Sequence, residues 1–246
     1  MKPYFKDNAV TLWHGDCREI VPALGKFDLL LTDPPYGIGA DNRKRILSRG
    51  KLAKAKDYGE MNWDSAPPNA ELIALIRRHC EKQIIWGGNY FELPPCKGPL
   101  VWDKENGEND FADGEFAWNN LGCALRIKRH LWHGMIRKGQ EERFHPTQKP
   151  LEVIAWALKL AGDVQTVLDP FAGSGTTGRA AKDLGRKCTM IEKEERYCAI
   201  AAKRMEQECL MFSTGLDSVR ASFSETSSLP LGDTHRYASA RKSIAR

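Results

Sequence analysis

Two short runs that each end in a proline-bearing turn constrain this chain more than any other feature: Phe27–Thr32 leads into Asp33-Pro34-Pro35-Tyr36, and Val164–Leu168 leads into Asp169-Pro170-Phe171-Ala172-Gly173. Runs this short, centred on residues such as Leu29, Leu30 and Leu31, read as strands buried on both faces. Proline has no backbone N–H and a fixed φ, so each strand ends where its proline begins. Strands of this kind belong to parallel sheets covered by helices on both sides, and ligands then meet the chain at the carboxyl ends of the strands.

The rest of the chain keeps the alternation. Ala9–Trp13 reads as a strand ending at His14-Gly15-Asp16, and Arg18–Leu24 as a short helix. A helix over Ala70–Cys80, with Leu72, Leu75 and Ile76 on one face, precedes the strand Gln83–Trp86 and the turn Gly87-Gly88-Asn89-Tyr90. Leu100–Trp102 is a further strand, and Cys123–Met135 holds two short ones flanked by Arg126, Lys128, Arg129 and His130. Helix Leu151–Leu160, helix Thr176–Leu184, strand Cys188–Ile191 and a long helix from Glu194 to Met211 complete an α/β, doubly wound, mostly parallel sheet. Residues 1–212 are therefore expected to form a single domain. Within it, Ala40–Gly59 lacks apolar periodicity and carries Arg43, Lys44, Arg45 and Arg49, which marks a basic loop. The segment 213–246 holds eight serines and no long apolar run, and is read as a disordered tail.

Composition narrows the function classes. The chain has 246 residues, 41% hydrophobic and 28% charged, enough for a buried core and far from a disordered composition. Its longest apolar runs fall well short of the roughly 18 residues a membrane span needs. The start, Met1-Lys2-Pro3-Tyr4-Phe5-Lys6-Asp7, has no apolar signal region, so a cytoplasmic protein with no membrane partner is expected. Seven scattered cysteines, never in a C-x-x-C pair, predict reduced thiols and no metal site. A net charge of +5 permits a polyanionic partner without demanding one.

Two motifs carry chemistry. Gly173-x-Gly175-x-x-Gly178 lets a nucleoside approach bare backbone, and Glu192 at the end of the next strand is an acceptor for ribose hydroxyls. Nicotinamide dinucleotides and S-adenosylmethionine satisfy that pattern equally, whereas a phosphate P-loop is excluded because no Lys-Ser/Thr follows the glycines. In Asp33-Pro34-Pro35-Tyr36 the prolines stiffen a turn that presents carbonyl and carboxylate acceptors. The exocyclic amine of a base is a poor nucleophile because its lone pair is delocalised into the ring. Acceptors at Asp33 and the Pro34 carbonyl would favour a pyramidal nitrogen, and Tyr36 offers a ring on which an extruded base can stack.

The motifs Gly15-Asp16, Thr32–Gly37, Gly87–Phe91, Val101-Trp102-Asp103-Lys104, Phe111–Trp118, His145-Pro146-Thr147-Gln148-Lys149-Pro150 and Asp169–Thr177 occur in an order that resembles the β-class amino DNA methyltransferases, in the small form of phages and prophages. The resemblance covers Val10 to Met211. It implies a Rossmann-like fold with a permuted motif order, S-adenosylmethionine as cofactor, DNA as partner, a homodimer as an alternative to a monomer, and a setting in restriction and modification. It also implies site residues. Asp33, Pro34, Pro35 and Tyr36 would hold the target base. Asp16, Asp169, Phe171, Gly173, Ser174, Gly175, Thr176, Thr177 and Glu192 would hold the cofactor, with His145, Thr147 and Lys149 near its methionine carboxylate. Asp16 and His145 also suit a capping or pinning role at a turn, as the weaker alternative. Only Asn119 to Phe144 separates the Phe111–Trp118 motif from His145, so short insertions at about 40–59 and 119–144 are expected to contact DNA.

Competing readings are weaker. Pro95-Cys96 resembles the nucleophile pair of cytosine-C5 methyltransferases, but there the glycine-rich turn comes first in the chain, and here it follows. A nicotinamide enzyme leaves Asp33–Tyr36 without a role. Within the amino family, Asp at the first motif position tilts the target toward adenine N6, with cytosine N4 or a catalytically silent DNA-binding relative as alternatives.

Overall fold

In a computed structural model of the chain, which describes residues 2–39, 64–107, 112–133, 136–137, 144–145 and 147–207, the two proline-terminated strands lie side by side. The elements in chain order are β1 (Phe5–Lys6), β2 (Val10–His14), α1 (Cys17–Ile20), β3 (Phe27–Thr32), α2 (Ala70–Arg77), β4 (Cys80–Trp86), β5 (Leu100–Asp103), β6 (Gly114–Asn119), β7 (Arg126–Arg129), β8 (Trp132–His133), β9 (Ile136–Arg137), α3 (Leu151–Leu160), β10 (Thr166–Asp169), α4 (Thr176–Asp183), β11 (Lys187–Glu192) and α5 (Glu195–Glu206). Among the described residues one sheet runs β1-β2-β11-β10-β3-β4-β6-β5-β7, with β8 and β9 as a separate hairpin. Neighbours from β2 to β4 are parallel, as are β5 and β7, while β6 runs antiparallel to both β4 and β5 and β1 runs antiparallel to β2.

Period-two alternation divides the core between the two faces. Val10, Leu12, Leu29, Leu31, Ile84, Trp86, Val167, Cys188 and Met190 pack with Val153, Ala157, Leu158, Ala180, Ala181, Ala201 and Met205 of α3, α4 and α5. Leu30, Ile85, Leu168 and Ile191 pack with Cys17, Ile20, Leu72 and Ile76 of α1 and α2. Helices therefore cover both faces, as the buried character of Leu29–Leu31 requires.

Several element boundaries differ from the expectation. The stretch Arg18–Leu24 is a short α-helix followed by a 3₁₀ turn at Val21–Ala23, because Pro22 has no N–H to continue the α-helical ladder. Helix α2 stops at Arg77, and Cys80 already belongs to β4, where it pairs with Phe27. Pairing with β3 recruits Cys80-Glu81-Lys82 into a strand that their polarity conceals. Strand β6, within a stretch noted above only as a motif, fills the gap between β4 and β5. Within the 119–144 stretch, β7 is an edge strand of the main sheet and β8 pairs with β9. Residues Met1–Cys209 form one unit, and the expected tail 213–246 and the basic Ala40–Gly59 loop, with Arg43, Lys44, Arg45 and Arg49, lie outside the described residues. No described helix is long and apolar enough to cross a membrane.

Candidate active site

The connection from β3 through α2 to β4 leads one way across the sheet, and that from β10 through α4 to β11 leads the other, so the sheet reverses direction between β3 and β10. A crevice opens at such a switch point. The ends of the two strands are tied there: Thr32 Oγ1 donates to Asp169 Oδ1 at 2.7 Å, and both residues are buried. The Asp33–Tyr36 and Asp169–Thr177 motifs, far apart in sequence, thus leave the sheet from adjacent strands.

The Asp33–Tyr36 turn is held from several sides. Asp64 is buried, and its Oδ1 accepts from the backbone N–H groups of Tyr36 and Gly37, each at 2.8 Å. The Tyr36 hydroxyl donates to Asp33 Oδ1. Its ring stacks on Tyr90, with centroids 4.7 Å apart and planes 9° from parallel, so the face expected to receive a base is on one side already covered. Gly87, in the left-handed region at φ 65°, comes so near that a Cβ there would lie 2.1 Å from the Tyr36 ring. Only glycine allows this approach.

Lys149 is the largest departure from expectation. Instead of facing a cofactor carboxylate, its ammonium lies 2.5 Å from Asp33 Oδ2 and 3.0 Å from Glu115 Oε2, and it donates to the Tyr36 hydroxyl at 3.2 Å. The other Glu115 oxygen pairs with Lys104 at 2.6 Å. Lys149 is 4% exposed, whereas the side chains of Asp33 and Glu115 keep 26% and 27% exposure. Burial raises the Asp33 pKa, and Lys149 opposes that rise. For Glu115 burial also resists ionisation, but Lys149 and Lys104 prevail and bring it down to about 2. Burial works against the Lys149 charge as well, and the two carboxylates outweigh it and raise its pKa. The Tyr36 hydroxyl is pushed up by burial and by Asp33, and remains protonated.

Around the glycines, Gly173 and Gly175 take φ of 52° and 80°, and Gly175 opens α4. Glu192 ends β11 with its Oε2 accepting from the Gly173 N–H at 2.7 Å and its Oε1 from the Glu194 N–H at 2.8 Å. Burial outweighs these two bonds and raises its pKa to about 7. A half-buried carboxylate with acceptor capacity to spare, beside a turn without side chains, fits the hydroxyl-bearing nucleoside part of the cofactor. His145 sits beside that turn, its ring 3.8 Å from a Cβ built on Gly173.

Other expected cofactor residues have their side chains committed elsewhere. Asp169 accepts from Thr32 and from the Phe171 N–H, and burial raises its pKa to about 6. Thr177 also bonds to Asp169. Ser174 and Thr176 serve as acceptors for the buried guanidinium of Arg204, which also binds the Ser174 carbonyl at 2.8 Å. These groups brace the turn from behind. Asp16 caps α1 by accepting from the Arg18 N–H at 2.9 Å, and His145 Nδ1 pins its own turn by accepting from the Thr147 N–H at 3.2 Å. Sequence reasoning missed Asp64, Glu115 and Arg204. Of these only Glu115 had a signal, as a carboxylate within the motif ending at Trp118.

The profile of the N6/N4 DNA methylase family matches residues 101–203. The type II methyltransferase M2.DpnII of Streptococcus pneumoniae is 47% identical, over 84% of this chain and 93% of its own length. The chain belongs to the amino DNA methyltransferases. Its class is β, with the Asp33 motif preceding the cofactor motif, and its methyl donor is S-adenosylmethionine. In fold, this methyltransferase is similar to the cytosine-N4-specific PvuII DNA methyltransferase (TM-score 0.54, 13% identity, 84% of this chain and 90% of that one). It is likewise similar to M1.HpyAVI, solved in complex with the same cofactor (TM-score 0.50, 23% identity, 80% of this chain and 99% of that one).

Proposed function

We propose that this methyltransferase moves a methyl group directly to N6 of an adenine turned out of duplex DNA. The observation that carries the reading is the partly exposed Asp33 carboxylate at the end of β3, beside the glycine turn that follows β10. Asp33 and the Pro34 carbonyl accept the amine N–H bonds and aim the nitrogen lone pair, and a charged carboxylate is a stronger acceptor than a neutral hydroxyl. The bound cofactor supplies a methyl carbon activated by sulfonium sulfur. When that methyl is transferred, the amine would give up one proton, and Asp33 and the Pro34 carbonyl are the groups that would hold the nitrogen. Asp33, which accepts a hydrogen bond from the amine in this reading, is the group placed to receive that proton. Tyr36 and Tyr90 form an aromatic stack that extends toward solvent, with Tyr90 42% exposed, and a flipped base can add to it.

Gly173, Gly175, Phe171 and Glu192 hold the nucleoside in this reading, with His145 and Thr147 toward the methionine end. Arg43, Lys44, Arg45 and Arg49 contact phosphates. The test is transfer of a tritiated methyl group to DNA followed by nucleoside analysis. N6-methyladenine is expected; N4-methylcytosine as the only product would overturn the choice of base.

A further inference from the structure

The group of charges around Asp33 asks for an explanation that base binding alone does not supply. A carboxylate that must accept an amine proton bond has no evident use for a buried lysine 2.5 Å away, and a lysine so placed has no evident use for a second carboxylate. Its three N–H bonds are all engaged, by Asp33, Glu115 and the Tyr36 hydroxyl. The ammonium is also flanked by the rings of Trp86 and Tyr36, 5.2 and 5.7 Å from their centroids. It therefore cannot turn toward a cofactor carboxylate without giving up a partner in a buried place, which is costly.

We propose that Lys149 is a positioning residue that keeps Asp33 ionised and aimed, and that Glu115 is the counter-carboxylate that holds Lys149 behind Asp33 rather than over it. This deepens, and rests on, the assignment of Asp33 as the group that binds the target amine. Exposure supports the geometry: the two carboxylates face outward at 26% and 27%, and the cation lies beneath them at 4%. An incoming amine meets the acceptors first. Glu115 is itself held by Lys104 on its far oxygen, so the alternation Lys104, Glu115, Lys149, Asp33 continues across β6 from the end of β5 to the turn after β3. Without Lys149, Asp33 and Glu115 would be left as a like-charged pair, and one of them would take up a proton near neutral pH. The other groups facing Asp33 are Tyr36, which stays neutral, and Asp169, whose negative charge adds to the need for a cation.

The test is the pH profile of single-turnover methyl transfer to duplex DNA, together with the affinity for S-adenosylhomocysteine. The set comprises wild type, Lys149→Met, Glu115→Gln and the double variant. In Lys149→Met the acid limb should move up by about 1–3 pH units, with S-adenosylhomocysteine affinity within about twofold of wild type. In Glu115→Gln the limb should move down, since a like charge has gone and Lys149 remains with Asp33. The double variant should recover part of the upward shift. Should Lys149→Met not fold, the downward shift in the near-isosteric Glu115→Gln still decides. An unmoved acid limb with affinity for S-adenosylhomocysteine reduced tenfold or more in Lys149→Met would overturn the proposal and return Lys149 to the cofactor. A wild type that methylates no base amine would instead defeat the functional reading on which the proposal stands.

Discussion

At the scale of the residue, each acidic group near the crevice has a distinct environment, and the environments separate their tasks. Asp33 is partly exposed and paired with Lys149, Asp169 is buried as a brace for Thr32 and Phe171, and Glu192 is half-buried beside bare backbone. Replacing Asp33 with Ala should slow methyl transfer by about 10²–10⁴ while leaving S-adenosylhomocysteine binding intact, since in the proposed role its carboxylate orients the amine and not the cofactor. Single-turnover rates and calorimetry check both halves. Glu192 leads to a pH dependence of a different quantity. Its pKa is raised to about 7 by burial, and bound hydroxyl donors favour its anion. Cofactor affinity should therefore be constant well above pH 7 and fall by up to about tenfold per unit below it. Glu192→Gln should bind more weakly and show a flat profile across the same range in titration calorimetry. Glu194 is the charged neighbour, and it contributes in the same direction by raising the Glu192 pKa further.

At the scale of the element, the site depends on two parallel strands ending level with one another. The Thr32 to Asp169 hydrogen bond is the direct link between those ends. Thr32→Val preserves the shape of the side chain but leaves a buried carboxylate oxygen with one donor fewer, so stability should fall by about 1–3 kcal/mol in urea unfolding. Methyl transfer should fall with it at temperatures where the variant is folded, because the two motifs lose their common register; a wild-type rate and midpoint would show the link to be dispensable. The glycine turn is supported from behind in a comparable way. Arg204 on α5 reaches Ser174 and Thr176, and a Cβ on Gly175 would lie 2.9 Å from that of Ala201 on the same helix. Helix α5 thus shapes the glycine turn.

At the scale of the whole molecule, the question is how a short chain grips DNA. The mild excess of positive charge is concentrated in the Ala40–Gly59 segment, which lies in the chain between the Asp33–Tyr36 turn and Asp64. Neutralising Arg43, Lys44, Arg45 and Arg49 together should weaken DNA binding at low salt and reduce the log–log salt slope by about 0.9 for each phosphate that no longer has a cation beside it. Titration across a salt series reads this directly, and an unchanged slope would mark these residues as a solvated surface only. Asp64, which follows this segment in the chain, accepts from the Tyr36 and Gly37 N–H groups and so ties the two sides of the connection together.

What the sequence determined by itself is local in origin. Leu29–Leu31 are buried because neither neighbour offers a polar face, the prolines after Asp33 and Asp169 end their strands, and the glycines at 173 and 175 adopt the positive φ that their turn requires. These facts, taken in chain order, were enough for the α/β class, the family and the crevice-lining motifs. The tertiary structure alone decided which side chains meet. Whether Lys149 faces the cofactor or Asp33 depends on where β6 inserts between β4 and β5, since that pairing brings Glu115 beside it. Nor does any local preference of residue 64 indicate that its carboxylate will hold the Tyr36 turn. Hydrophobic periodicity and turn chemistry act over a few residues, whereas a buried ion network is set by strand order and by the cost of leaving a charge unpaired, and both of these exist only once the sheet has closed.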